Sequence, residues 1–317
     1  MTQNRIQQIN ALKREIYGEY GFYYYVPMAE AYTIQIPVTI SCSYNKCLYC
    51  DLNQHKKFRE LSLDEIESNI KKLRVIHDEK IDSAKRFLLA GGNPFVLKPD
   101  KLLQIATMIK SNFPEVEYIS SFARSDDITG KTQDELKILH DSGFDRLCIG
   151  IESGSDEVLN FHNKGVTSAQ NLQAMKMLDD ANIKYSCYIM LGLGGLDMSE
   201  SHISGTINLL NQANPFQLTV VTLVLFKGAR LVEKVRNHEF HRMPPFEALK
   251  EGREILSQLN ISTIWDATHK TNLFPIKGRI PLHREKLLNR IDSAISEIES
   301  GDLKQYELKR WSSWGIE

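Results

Sequence analysis

At 317 residues, with 42% apolar and 25% charged residues and a formal net charge of −1, the chain has a globular composition and the length for one large core. The near-neutral balance supplies no broad basic field, which disfavours a nucleic-acid partner, and no apolar run reaches the ~18 residues of a membrane span. The five cysteines, odd in number and clustered, suit a reducing compartment and a metal site better than a disulfide framework.

Residues 1–31 open with "MTQNRIQQINALKREIYGEY", which lacks an apolar signal core and reads as a polar helix, so a soluble cytoplasmic protein is expected. Tyr23, Tyr24 and Tyr25 follow and are expected to pack across the bottom or edge of the next domain. Apolar, β-rich runs then recur at 32–40, 86–90, 116–122, 146–151, 184–191 and 217–226. Amphipathic helical stretches follow the first five, the pattern of successive β-α units in a parallel sheet. Ser62 with Glu65, Thr132 with Glu135, and Thr167 with Gln170 match the capping box that starts a helix. Ile66, Ile70 and Leu73 recur on one helical face, and Gly143 supplies a helix stop. Residues 32–230 therefore predict a partial (β/α)6 TIM-like barrel. Residues 231–317 depart from the repeat: "PPFEALKEGREILSQLN" reads as a helix, "ISTIWDATH" as a strand and "LHREKLLNRIDSAISEIES" as a long amphipathic helix. They form a C-terminal α/β extension, which could cover the barrel mouth or close its bottom.

The segment "SCSYNKCLYC" holds Cys42, Cys47 and Cys50 in a C-x4-C-x2-C spacing directly after the first strand. Four thiolates normally hold a four-iron cluster, so three leave one iron open, the mark of a reactive site. Two other readings stand beside it: zinc with His55 as fourth ligand, giving a non-catalytic interaction module, or buried unliganded cysteines. Other strand ends carry further signals. "AGGNP" places Gly91 and Gly92, which permit close backbone approach to a ligand, after the second strand. "GIESG" places Glu152 after the fourth, and "GLGG" follows the fifth. In a β/α barrel these ends share the face where ligands bind, a coincidence for which a zinc finger has no use.

On these four motifs, in this order, and on Tyr49 inside the last C-x-x-C, the segment 32–230 resembles the radical S-adenosylmethionine (SAM) enzymes. It is most similar to the branch of the Elp3, MiaB and NifB proteins, related to the oxygen-independent coproporphyrinogen oxidases, and to a subgroup with the "CSYNKC" loop. The resemblance implies an oxygen-sensitive [4Fe-4S] cluster on Cys42, Cys47 and Cys50, with S-adenosyl-L-methionine chelating the free iron. Reductive cleavage would give a 5′-deoxyadenosyl radical that abstracts hydrogen from a substrate. It further implies Tyr49 near the adenine, and Gly91, Gly92 and Asn93 on the amino group, largely through backbone carbonyls. Glu152 would reach the ribose or amino-acid portion, and Lys164 the carboxylate. A reductant such as flavodoxin or ferredoxin is implied as partner. The chain departs from the family pattern twice, with one residue more than C-x3-C-x2-C and with Asn93 where Glu is familiar.

A small or medium organic substrate is the preferred reading, because a primary radical needs a site that excludes water. Radical modification of RNA or protein is the alternative, against which the charge counts. Ser121 and Arg124 are further candidates for the cofactor site, although Arg124 could equally pair with Asp126 or Asp127. Cys148 and Cys187 fall inside strands as small buried hydrophobes. Asp197 stands where G-x-G-x-x-G needs its third glycine, so "GLGGLD" is no dinucleotide fingerprint. His269 and Asn272 follow the late strand, where a structural role is the simpler one. Lys277, Arg279, Arg284, Lys286 and Arg290 read first as a solvated helix face, and second as a phosphate or carboxylate site.

Overall fold

The apolar runs become strands whose two faces are both covered: Phe87, Leu88, Leu89 and Ala90 are consecutive and all buried, as parallel strands between helix layers require. The computed structural model describes residues 3–18, 30, 32–78 and 85–301; Tyr23, Tyr24 and Tyr25 lie outside them. The strands are β1 (Ile34–Pro37), β2 (Thr39–Ile40), β3 (Arg59–Glu60), β4 (Arg86–Ala90), β5 (Tyr118–Ala123), β6 (Phe144–Glu152), β7 (Lys184–Leu191), β8 (Gln217–Thr222), β9 (Thr263–Asp266) and β10 (Lys277–Ile280). The helices are α1 (Gln3–Tyr17), α2 (Leu63–Ile76), α3 (Pro99–Asn112), α4 (Ser125–Thr129), α5 (Gln133–Asp141), α6 (Asp156–Phe161), α7 (Ser168–Asp180), α8 (Ser199–Leu210), α9 (Leu231–Arg236), α10 (Pro245–Gln258) and α11 (Arg284–Glu299).

One sheet has the strand order β1-β4-β5-β6-β7-β8-β9-β10. Each new strand is laid beside the last, the singly wound order of a β/α barrel, and the order runs between two edges rather than closing, which makes it a partial barrel. The expected run 32–40 divides at Pro37, whose nitrogen has no proton for a ladder. Beyond it β2 pairs antiparallel with the unforeseen β3, Thr39 opposite Glu60. Beyond residue 230 the parallel arrangement continues for one more strand, since β9 pairs in parallel with β8, Leu218 opposite Trp265. Only β10 runs antiparallel. Its "KGRI" has no apolar alternation and is specified by its partner.

The chain divides into two compact units, Met1–Ser43 with His55–Cys148 and Met177–Lys184, and Tyr44–Gln54 with Ile149–Lys176 and Tyr185–Glu317. In the first, β1 pairs with β4 and β4 with β5, both parallel. Helix α2 starts at the Ser62–Glu65 capping box and buries Ile66, Ile70 and Leu73, each worth about 1.5–3 kcal/mol of transfer free energy. Helix α1 is tied to it by Arg5, which donates to the Val75 carbonyl at 2.6 Å, and by the Lys72–Glu15 pair. Helix α5 has the Thr132–Glu135 box and stops before Gly143 at φ +107°, a conformation glycine adopts without strain.

In the second unit β7 and β8 pair in parallel over six residues, and Trp265 of β9 is the largest fully buried side chain among the described residues. The Thr167–Gln170 box is present at the start of α7. Helices α10 and α11 bury Ile255 and Leu256, and Leu287 and Ile291. A bidentate Arg253–Asp292 pair joins them. Among the described residues no helix is long and apolar enough to cross a membrane.

Candidate functional site

In the first unit the chain leaves β2 through Ser41, in the left-handed region at φ +65°, and the Ser41 carbonyl accepts the Gly92 N–H at 3.0 Å. A Cβ on Gly92 would lie 2.6 Å from Cys42 Cα and Cβ, and one on Gly91 2.0 Å from Thr39 Oγ1. The close approach that these glycines permit is thus already used by the chain itself, by β2 at Gly91 and by the start of the cysteine loop at Gly92. Asn93 is 1% exposed. Its Oδ1 accepts the Ser43 N–H at 2.9 Å, and its Nδ2 donates to Ser43 Oγ at 2.8 Å and to Asp127 Oδ2 at 3.0 Å. Ser121 is fully buried and donates to the Phe122 carbonyl. The Arg124 guanidinium pairs with Asp126 at 2.9 and 3.1 Å.

In the second unit the loop carrying Cys47, Tyr49 and Cys50 is pinned at several points. The Tyr44 hydroxyl donates to the Asn163 carbonyl and Oδ1, both at 2.9 Å. Its ring lies so close over Gly165 that a Cβ there would sit 2.4 Å away. The Leu48 N–H donates to the His162 carbonyl, and the Leu48 carbonyl accepts the Leu231 N–H. Arg230 donates to the Asn45 carbonyl at 3.0 Å. Asn45 itself has φ +47°, a left-handed turn that asparagine tolerates well. Tyr49 sits edge-on to the His162 ring, centroids 5.6 Å apart. Burial first, and then the charges of Glu152, Cys47 and Cys50, hold its phenol well above its ordinary pKa.

The end of β6 is strained. Glu152 has φ +62°, and the Ser153 N–H donates to the Ile151 carbonyl at 2.7 Å, closing a γ-turn about Glu152. Such a conformation at a residue with a side chain costs about 1–3 kcal/mol and is characteristic of functional sites. Its carboxylate accepts from Lys164 Nζ at 3.2 Å, with both side chains largely buried. The pair lies over Gly150, where a Cβ would be 2.5 Å from Glu152 Oε1 and 3.2 Å from Lys164 Nζ. Gly150, Glu152 and Lys164 thus form one unit spread along "GIESGSDEVLNFHNKG".

Three buried titratable groups of this unit were not singled out by sequence reasoning. His162 Nε2 donates to the Leu193 carbonyl at 2.6 Å, its Nδ1 is buried without a partner, and burial lowers its pKa to about 4. His202 bonds Ser153 Oγ through Nδ1 at 2.8 Å, and burial lowers it to about 4. Glu251 of α10 accepts the Gly192 N–H at 2.6 Å and the Ser199 hydroxyl at 2.9 Å, and burial raises it to about 7. His162 and Glu251 fasten the "GLGG" turn after β7, and His202 lies beside them with Nε2 3.5 Å from Glu251 Oε1. The signal was a carboxylate on an apolar stripe, since Ala248, Glu251, Ile255 and Leu256 share one buried helix face.

Cys42, Cys47 and Cys50 form no disulfide and are half-buried. Soft sulfur donors in a pinned loop fit an iron-sulfur cluster. Among the described residues no three His, Cys, Asp or Glu side chains converge as the ligands of one metal ion do. Cys148 and Cys187 are buried, Cys187 against Met175 Sδ at 3.5 Å. Asn272 makes three bonds, to the Val220 and Ala267 carbonyls and from Thr222, and His269 bonds Thr271. In the basic cluster, Lys277 pairs with Asp266 at 2.6 Å, Arg284 donates to the Leu259 carbonyl, and Arg290 lies over the Phe274 ring.

Comparison with known proteins places this geometry. The profile of the radical SAM superfamily matches residues 36–204. The heme chaperone HemW of Bacillus subtilis (strain 168) is 23% identical over 217 residues, 66% of this chain and 55% of that protein. The 4′-phospho-dehydrooxetanocin synthase of Priestia megaterium is 26% identical over 164 residues, 45% of this chain and 21% of that one. The chain thus spans 55% or less of the length of either relative. The structure of coproporphyrinogen III oxidase (HemN) from Escherichia coli, described as a radical SAM enzyme, shares the fold. The match has a TM-score of 0.50 and 14% identity, over 71% of this chain and 51% of that one.

Proposed function

We propose, from the premise that this chain belongs to the radical SAM superfamily, that Cys42, Cys47 and Cys50 hold a [4Fe-4S] cluster at which SAM is cleaved reductively. Enzymes of this superfamily use that cluster and SAM, act on a substrate and need a reductant. When bound, the two supply a 5′-deoxyadenosyl radical able to abstract hydrogen. The single observation that carries the reading is the family match over residues 36–204, which includes Cys42, Cys47 and Cys50, none of them in a disulfide.

The chain's own residues have roles suited to this. Gly91, Gly92 and Asn93 would offer backbone carbonyls to the SAM ammonium group, which needs acceptors; the Asn93 side chain is occupied by Ser43 and Asp127. Lys164 would offer its ammonium to the SAM carboxylate, and Glu152, on its strained turn, a carboxylate to the ribose or amino-acid portion. Tyr49, kept as a neutral phenol, would lie near the adenine. Ser121 and Arg124 would border the site through main chain or ion pair. The substrate would be a small or medium organic molecule, with flavodoxin or ferredoxin as electron donor.

The test is anaerobic reconstitution with iron and sulfide, reduction by dithionite, addition of SAM and assay of 5′-deoxyadenosine, for wild type and Cys47→Ala. Formation by the wild type alone supports the proposal. Absence of cluster from both, with stoichiometric zinc in its place, overturns it.

A further inference from the structure

We infer that Ser43, Asn93 and Asp127 form a clamp that fixes the Cys42 end of the cysteine loop, and that Asp127 is the reason position 93 carries an amide. The clamp rests on the cluster reading only for what it positions; its hydrogen bonds stand in the protein alone. Asn93 must do two opposite things from one buried side chain. Its Oδ1 accepts the Ser43 main-chain N–H at 2.9 Å, while its Nδ2 donates to Ser43 Oγ at 2.8 Å and to Asp127 Oδ2 at 3.0 Å. Among the side chains only an amide offers a carbonyl acceptor and a two-proton donor side by side. A carboxylate at 93 could accept from Ser43 but would meet the Asp127 carboxylate in a buried setting, where the two either repel as like charges or must take up and share a proton.

The far side of the clamp is anchored too. Asp127 Oδ2 also accepts the Arg124 N–H at 3.0 Å. The Asp127 carbonyl accepts from Lys131 Nζ at 3.0 Å, and the same Nζ donates to the Phe95 carbonyl at 2.7 Å and lies over the Phe95 ring, 4.5 Å from its centroid. Phe95 is two residues from Asn93, so the "GGNPF" segment is held to α4 twice. Ser43 directly follows Cys42, and Gly92 directly precedes Asn93 and is in contact with Cys42. Asn93 and Asp127 are therefore positioning residues for the first thiol.

The experiment compares the full-length wild type with Asn93→Asp, Asp127→Asn and the double variant. It reads amide exchange in the peptide containing Ser43, and the rate at which the anaerobically reconstituted protein loses its iron-sulfur absorption in air. Loss of one buried hydrogen bond to a carboxylate predicts about tenfold faster exchange and cluster loss in Asn93→Asp, and a smaller change in Asp127→Asn, whose amide oxygen still accepts. The double variant, in which an amide at 127 can donate to a carboxylate at 93 only by giving up the Arg124 N–H that Asp127 Oδ2 now accepts, is expected to recover part of the loss. Exchange in Asn93→Asp equal to wild type, or a double variant no better than the worse single one, overturns the clamp. If Asn93→Asp is insoluble, recovery of folded protein in the double variant supports the clamp and continued insolubility overturns it. A wild type that takes up no iron and sulfide refutes the cluster, while Ser43 exchange in the metal-free chain still decides the clamp.

Discussion

Replacing Glu251 by glutamine tests whether a buried acid is kept at the turn after β7 at a cost that depends on pH. Burial raises its pKa from an ordinary 4.5 to about 7, despite the stabilising bonds from Gly192 and Ser199. The folded protein thus holds this proton more tightly than the unfolded chain does. Linkage then requires that this group's contribution to stability be greatest at low pH, fall as pH rises above the ordinary value, and level off above about pH 7. Across the whole interval the loss is about 3 kcal/mol, of which about 1.4 kcal/mol falls between pH 6 and pH 8. Glutamine is neutral throughout and can still accept the Gly192 N–H. In thermal melts of wild type and Glu251→Gln at both pH values, the wild type is expected to lose about 2 °C relative to the variant as pH rises. Groups remote from residue 251 cancel to first order in that difference; His202, whose Nε2 lies 3.5 Å from Glu251 Oε1, is coupled to the substitution. Parallel pH curves for the two proteins would refute the reasoning and leave Glu251 ionised in its pocket.

Lys164→Ala leaves the Glu152 carboxylate without its ion partner in a largely buried site, which is expected to cost about 3–5 kcal/mol and to weaken SAM binding at least about tenfold, read by urea unfolding and equilibrium dialysis. Gly205→Ala drives a Cβ to within 2.8 Å of the Gly154 carbonyl; about 1–3 kcal/mol of destabilisation is expected, and an unchanged melting temperature would mean that α8 can shift without penalty. Ser62→Ala breaks the capping box of α2 and should cost about 1 kcal/mol, visible by urea unfolding and accompanied by no change in the SAM affinity of the reconstituted protein.

Much of the fold is local in origin and was therefore legible. Capping boxes, helix stripes and apolar runs are decided by residues three to eight positions apart, so α2, α5 and α7 and the strands β4 to β9 follow from side-chain periodicity. The ribbon of β2 and β3 and the antiparallel β10 were missed because neither "RE" nor "KGRI" carries a pattern of its own; each is a strand only through its partner.

The candidate site divides in the same way. Three thiols at close spacing, a glycine pair and an acid at a strand end are statements about residue type, and chemistry restricts what such types can bind; composition and spacing therefore sufficed to nominate them. What each side chain does with its hydrogen bonds depends on partners far off in the chain. That Asn93 serves Ser43 and Asp127, that Lys164 meets Glu152, and that Glu251 holds Gly192 are contacts across 12 to 59 residues. Their energies come from desolvation and from donor-acceptor matching inside a packed interior, and no local pattern encodes either. The sequence by itself determined the chemistry available to this protein, and the tertiary structure alone decided which of those groups are committed to holding the site together.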